Sequence, residues 1–354
     1  MQFLRFPILV QKEILGNLKL EDLVVLSSCS KRTNYSIQAT EKPRLRKIKT
    51  IRYGLSDSES IDICAFSDTF SGVEMYIGIE YDAWERLDLT PMEVFGISRV
   101  DTWRPNTFSE KEEFDTVRRT FIIEGIHNCL LDLFGSSVNY EIRSYDRQLP
   151  PSLTNIKNSY IGSFAVTDAE KLEACFRNSP NQENIVLNGM GPLKLCQNSV
   201  INQTEYLMIS CFETCGDDIL GSFEGKSLNL ISVHLQQASI TKLLNDWKSD
   251  LGFRNLKFLS IRHSFNENWN IVKIMEDSGV RRLVDYSVLK WKERTMPTVL
   301  RGHNEWKERR IVTRKYVDRD SDGERAFVHI SPREFYFVVG SSAEITNGGH
   351  WFNW

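Results

Sequence analysis

Five strand-like segments recur at nearly regular intervals in the middle of the chain, and this recurrence is the strongest constraint on its fold. The segments centre on Ile161, Ile185, Leu207, Ile231 and Leu259, which are separated by 24, 22, 24 and 28 residues. The segments between them have apolar residues at three- and four-residue steps, which predicts helices. One strand and one helix per period of this length is typical of a leucine-rich-repeat solenoid. An ordinary α/β domain with loosely regular spacing is the alternative, and both predict a parallel β/α layer.

Strand-length apolar patterns also flank this region. Before it the sequence contains KIKTIRYGL, SIDICAF and VEMYIGIEY, followed by a helical stripe that opens near Ser109 and continues to Leu133. After it come the helix-like NWNIVKIMEDSG and the strand-like RRIVTRKYV, RAFVHI and REFYFVVG. Alternation of apolar and polar residues over such short pieces predicts strands.

The first forty residues have a different, helical pattern. Pro7 suits the first turn of a helix, the charges of Glu21 and Asp22 favour a second helix start, and Ser30 predicts the N-cap of a third. Helices this short bury too little surface to be stable without support. Their apolar stripe is therefore expected to need a partner.

This segment resembles the F-box. The residues that carry the resemblance are, in order, Phe6-Pro7, Val10, Ile14-Leu15, Leu18, Glu21-Asp22-Leu23, Leu26-Ser27 and Lys31-Arg32. The chain departs from the family pattern at Leu9, where Glu is common, at Cys29-Ser30 in place of Val-Cys, and at Thr33 in place of Trp. The resemblance implies a site for the Skp adaptor protein, formed by Phe6, Pro7, Val10, Ile14, Leu15, Leu18, Leu23 and Leu26.

Two further stretches are similar to the type-2 F-box-associated region of nematode F-box proteins. They are residues 239–275, with a Trp-containing helix and an Asn-Leu-x-x-Leu strand, and RRIVTRKYVDRDSDGERAFVHI, with an acidic-Gly turn between two strands. The resemblance implies a non-catalytic adaptor of an SCF ubiquitin ligase, which binds the Skp adaptor and a cullin scaffold and captures a protein target. A scaffold protein whose F-box helices are only structural is the alternative.

The domain organisation predicted from these patterns is a small three-helix module followed by a β/α, leucine-rich-repeat-like domain. The module covers residues 2–45 and the second domain 46–340, with β/α repeats at about 138–262, a β-rich end at about 308–340 and a loose tail at 341–354. Strand alternation places Ser232, His234, Ser260 and Arg262 on one face of the repeats. We expect this row to contact the target.

Composition narrows the possible partners. A formal net charge of -3 argues against nucleic acid as a partner, and no apolar run reaches the length of a membrane span. Seven cysteines, an odd number spread through a long chain, favour reduced thiols in the cytoplasm or nucleus.

The remaining motifs predict no cofactor, metal or catalytic site. The first half of a calcium-binding loop is matched by Asp318, Asp320 and Asp322. The twelfth position of such a loop is His329 here instead of the Glu that binds calcium, so the sequence favours an acidic hairpin turn. Cys211 and Cys215, with a nearby histidine, are expected to be core thiols rather than zinc ligands. No nucleophile motif is present.

Overall fold

The computed structural model describes residues 3–56, 60–67, 73–80, 108–145, 148–164, 169–189, 191–196, 198–212, 214–263, 269–294 and 306–340. The predicted tail at 341–354 lies outside these residues. The chain divides into two compact units, Met1–Asn158 and Ser159–Trp354. The first unit contains the helical module together with the strands that follow it, and the boundary at 45/46 within it stays a prediction.

The first unit combines helices with a mixed sheet. A 3-10 turn (Phe3–Arg5) precedes α1 (Ile8–Gly16), α2 (Leu20–Cys29), α3 (Lys31–Thr40) and α4 (Lys42–Leu45). Strands β1 (Ile48–Leu55), β2 (Ser60–Ser67) and β3 (Val73–Glu80) follow, then helix α5 (Phe108–Phe134) and β4 (Asn139–Ser144). The strand order is β4-β1-β2-β3, with β1 parallel to β4 and antiparallel to β2. The three predicted strands and the predicted long helix are confirmed.

Helix α5 is fixed to this sheet by a buried hydrogen-bonded histidine. The Tyr53 hydroxyl donates to Nδ1 of His127 at 2.9 Å, and Nε2 of His127 donates to the carbonyl oxygen of Thr154 at 2.8 Å. Burial lowers the pKa of His127, and burial raises the pKa of Tyr53. Both groups are therefore neutral inside the core, where an unpaired charge would be costly.

The second unit holds the repeated strands. β5 (Ile156–Phe164) spans the unit boundary and is followed by α6 (Ala169–Phe176), β6 (Asn184–Gly189), a 3-10 turn (Val200–Gln203), β7 (Tyr206–Cys211), α7 (Gly216–Ser222) and β8 (Ser227–Val233). Helix α8 (Gln237–Lys248), β9 (Phe258–His263), α9 (Ile271–Ser278), β10 (Arg281–Arg294), β11 (Trp306–Asp318), β12 (Arg325–Ile330) and β13 (Glu334–Val339) complete it. The strand order is β5-β6-β7-β8-β9-β13-β12-β11-β10.

The parallel β/α layer is present, but one repeat anchor is displaced. β6 to β9 are parallel neighbours, and the register aligns Ile185 with Leu207, Leu207 with Leu228, and Leu228 with Leu259. Leu228 therefore occupies the position that the sequence spacing assigned to Ile231. Beyond β9 the sheet continues through antiparallel β13. The fold is a mixed sheet with helices, and its description as leucine-rich-repeat-like stays a prediction.

The end of the second unit is an antiparallel ladder. The predicted strands at β11, β12 and β13 are confirmed, and residues 319–324 form the predicted acidic turn, in which Gly323 has the left-handed φ of 71°. Strand β10 was not predicted. Within the described ranges, no helix is long and apolar enough to cross a membrane.

Candidate functional site

The first three helices turn one face into the core of the first unit. Leu15 and Leu23 are fully buried, as are Val24 and Ile37, and they join a cluster that includes β1 residues and α5 residues. The hydroxyl of Ser27 lies 3.6 Å from the thiol of Cys129 on α5. Burying side chains of this kind contributes about 1.5–3 kcal/mol each. The helices, too short to be stable alone, are thus supported by α5 and the sheet.

The local sequence explains where these helices begin. Ser30 caps α3, as predicted, because its hydroxyl accepts a hydrogen bond from the Thr33 N–H at 3.1 Å. At the start of α2, the Asp22 carboxylate accepts from the N–H of Lys19 at 3.3 Å. Gln11 links the N-terminal turn to α1 by donating to the carbonyl oxygen of Phe6 at 2.8 Å. These bonds fix the relative positions of the N-terminal turn and the helices.

The opposite face of α1 is apolar and open to solvent. Leu9 is 77% exposed and Ile8 is 61% exposed, and the side chains of Phe6, Val10 and Ile14 are exposed as well. We call these five residues the outer face. A concentration of exposed apolar side chains in one short segment marks a site for a protein partner.

The structure separates the predicted Skp-adaptor residues into three groups, exposed, half-buried and buried. Phe6, Pro7, Val10 and Ile14 are exposed, and Leu18 and Leu26 are half-buried. Leu15 and Leu23 have no exposed surface, so we reassign them from contact residues to core residues. Ile8 and Leu9 were missed, Leu9 because Glu is common at its position in the family pattern.

The predicted target-binding row does not form one open surface. Ser260 is only 2% exposed because the sheet is covered on both faces at this point, so its assignment as a contact residue is corrected. Ser232 has a φ of 59° and forms a bulge in β8, which breaks the alternation on which the row was based. His234 is exposed just after β8, and Arg262 lies opposite Glu334 of β13.

The residues considered for metal chemistry have structural roles. Cys211 is buried, which raises its pKa to about 11 and makes it the expected core thiol. Cys215 is exposed, so its assignment to the core is wrong, because it precedes α7 at the surface. Asp322 accepts from the Arg319 guanidinium at 2.7 Å, and Asp318 accepts from Arg325 at 2.7 Å. Within the described ranges, no cluster of three or more potential metal ligands occurs.

Comparison with known proteins assigns the helical module. Residues 3–43 match the model of the F-box domain. No curated protein and no solved structure matches the chain. The matched segment covers the 3-10 turn and helices α1 to α3, and therefore both the inner face and the outer face. The chain therefore contains an F-box domain at residues 3–43.

Proposed function

We propose that the protein is the target-recognition adaptor of an SCF-type ubiquitin ligase. The Skp adaptor binds the outer face of the F-box, a cullin scaffold binds through the Skp adaptor, and the rest of the chain captures a protein target. The observation that carries the proposal is the exposed apolar outer face, which lies within the residues that match the F-box. An adaptor needs no catalytic group, because other subunits carry out the transfer.

Further features support parts of this proposal. The stretches similar to the type-2 F-box-associated region support a nematode F-box protein, whose β/α repeats would hold the target. His234 and Arg262 remain candidate contacts for that target, since both have exposed surface. All seven cysteines are free thiols, which is typical of the cytoplasm or nucleus.

The alternative, a scaffold with a purely structural F-box, has one observation in its favour. Part of the apolar surface of α1 to α3 is already covered by α5 and the sheet. A structural role accounts for the buried residues Leu15 and Leu23. It gives no reason for exposing Ile8 and Leu9, and this difference makes the two functions distinguishable.

Co-purification of the full chain with a tagged Skp adaptor tests the proposal. The variant combines Ile8→Asp with Leu9→Asp, since acidic residues in the first turn favour a helix and preserve α1. Burial of the Ile8 and Leu9 side chains against the Skp adaptor should contribute about 3 kcal/mol or more to binding. Without them the affinity should fall about a hundredfold or more.

The matched control combines Leu251→Asp with Val272→Asp, two exposed apolar residues of the second unit. This control should bind the Skp adaptor like the wild type. Equal binding by both variants, or no binding by the wild type, would contradict the proposal and favour the scaffold function.

A further inference from the structure

Strands β10 and β11 concentrate positive charge in a chain that is acidic overall. Together they contain ten Lys and Arg residues against four Asp and Glu residues, whereas the whole chain has a formal net charge of -3. In the part of the chain that the structure describes, β10 is the edge of the sheet of the second unit. An edge strand is accessible to a partner, because no further strand covers it.

Some of these cations face each other directly. The register pairs Arg282 with Lys315. Like charges placed opposite each other destabilise an antiparallel pair. The pKa of Lys315 is lowered by burial and by the charge of Arg282. The arrangement thus costs stability in the free chain, and an anionic partner would relieve that cost.

Two carboxylates lie near these cations on the two strands, Asp285, which is exposed in the bulge of β10, and Asp318, which is already engaged by other arginines. Asp318 accepts from Arg325 at 2.7 Å and lies 3.6 Å from the guanidinium of Arg281. Across the described ranges, no carboxylate forms an ion pair with Arg282, Arg314 or Lys315. Lys315 donates one hydrogen bond, to the carbonyl oxygen of Ile330 at 3.4 Å, and its ammonium group has three donors. Arg282, Arg314 and Lys315 can therefore still pair with an external anion.

A bulge next to these cations exposes apolar and aromatic side chains. The register of β10 against β11 shifts between Arg282 and Ser287, so residues 283–286 lie opposite Arg314. In this bulge Val284 is 89% exposed and Tyr286 is 63% exposed. The guanidinium of Arg314 lies 3.5 Å from the centroid of the Tyr286 ring, which holds the ring in place. Leu283 packs against the core of the ladder and anchors the bulge.

We propose that this basic platform, defined as Arg282, Val284, Tyr286, Arg314 and Lys315, binds an acidic segment of the protein target. Carboxylates of the segment pair with the three cations, and its apolar side chains contact Val284 and Tyr286. The inference rests on the proposed function, in which the second unit captures a protein.

The composition of the platform favours an acidic protein segment over nucleic acid. The ten Lys and Arg residues of the two strands would also suit a phosphate backbone, but the chain as a whole is acidic, with a formal net charge of -3. Val284 offers an aliphatic contact that suits an amino-acid side chain. Complementary charge of this kind mainly sets specificity and the rate of association.

Fluorescence anisotropy with the full chain tests the platform. The probe is a labelled peptide of repeating Glu-Val dipeptides, and its counterpart has Gln in place of Glu. Arg282→Glu combined with Arg314→Glu should weaken binding of the Glu-Val peptide about tenfold or more, as should the change to Gln in the peptide. Arg282→Glu places a carboxylate opposite Lys315, so the fold should not be destabilised.

The control combines Arg177→Glu with Lys273→Glu, two exposed cations of the second unit, and makes the same change in net charge. It should bind the Glu-Val peptide within about twofold of the wild type. An equal loss in the control, equal binding of the Gln-Val peptide, or tighter binding of single-stranded DNA than of the Glu-Val peptide would overturn the inference.

Co-purification with the Skp adaptor, measured on the same proteins, separates this inference from the proposed function. The platform variant should retain the Skp adaptor, because its changes lie outside the F-box. Failure of the wild type to retain the Skp adaptor would count against the proposed function. Unchanged peptide binding by a platform variant that retains the Skp adaptor would count against the platform alone.

Discussion

Both faces of the first three helices are rich in apolar side chains, yet only one of them is buried. The inner face, with Leu15 and Leu23, packs into the core formed with α5 and the sheet. The outer face, with Ile8 and Leu9, has no cover among the described residues of the first unit. The inner face therefore stabilises the fold, whereas the outer face should add little to stability and, in the proposed function, binds the Skp adaptor. Changes on the two faces should have separable effects on stability and affinity.

The largest effect is expected from the inner face. Leu23→Ala should lower the free energy of unfolding by about 2–5 kcal/mol, because it leaves a cavity where the side chain is fully buried. Urea denaturation of the full chain, followed by circular dichroism, measures the change. A loss below about 1 kcal/mol would show that the inner face does not support the first unit.

A smaller loss is expected at the cap of α3. Ser30→Ala removes the hydroxyl that accepts from the Thr33 N–H, and should lower the free energy of unfolding by about 1 kcal/mol. Ser28→Ala is the matched control, because the Ser28 hydroxyl only donates to the carbonyl oxygen of Val25 within α2. If both variants lost the same stability, the cap would have no special role in orienting the helices.

The core behind the inner face should also respond to pH. Burial lowers the folded-state pKa of His127 below its ordinary value of 6.5. Above pH 6.5 the histidine is neutral in the folded and the unfolded chain. As the pH falls below 6.5 the unfolded chain binds a proton that the folded chain does not, so stability is lost until the folded-state pKa is reached.

Thermal midpoints measured from pH 7 down to pH 5 would detect this loss. His127→Gln should reduce the change of the thermal midpoint with pH. His329→Gln, in the second unit, should leave the part of that change that comes from His127. Affinity for the Skp adaptor should show no dependence on His127, since this side chain is buried away from the outer face. An unchanged slope in His127→Gln would contradict the buried, neutral state of this histidine.

The smallest effect on stability is expected from the outer face. Leu9→Ala should change the free energy of unfolding by less than about 0.5 kcal/mol, because the side chain is 77% exposed. The same change should weaken binding of the Skp adaptor measurably, as determined by calorimetry with the full chain. A variant that lost stability but kept its affinity would reverse the roles assigned to the two faces.

The elements with strong periodicity were predictable from the sequence, and the irregular ones were not. Helices α1 to α3 and the strands β6 to β9 follow patterns that local spacing specifies. Strand β10 is the exception, since Val284, Tyr286 and Val288 alternate with Asp285 and Ser287, and this alternation could have predicted it. The sequence spacing assigned Ile231 rather than Leu228 as the anchor, because β8 holds several apolar residues and spacing alone does not fix which of them aligns with Leu207 and Leu259.

The site was predictable only in outline. The apolar stripe of the F-box is visible in the sequence, but packing against α5, a helix about a hundred residues away in sequence, decides that Leu15 is buried and Val10 is exposed. Burial of Ser260 likewise depends on its neighbours Asn229 and Tyr336, which come from distant strands. Such long-range contacts determine which face is free, and local patterns cannot supply them.

Site-specific photo-crosslinking tests the central claim, that the outer face binds the Skp adaptor, most directly. A photoreactive amino acid replaces Leu9 on the outer face, and in a second protein it replaces Val272, which is exposed on α9 of the second unit. After irradiation in the presence of the Skp adaptor, position 9 should form a covalent adduct with it, and position 272 should not. No adduct at position 9, or adducts of equal yield at both positions, would contradict the account.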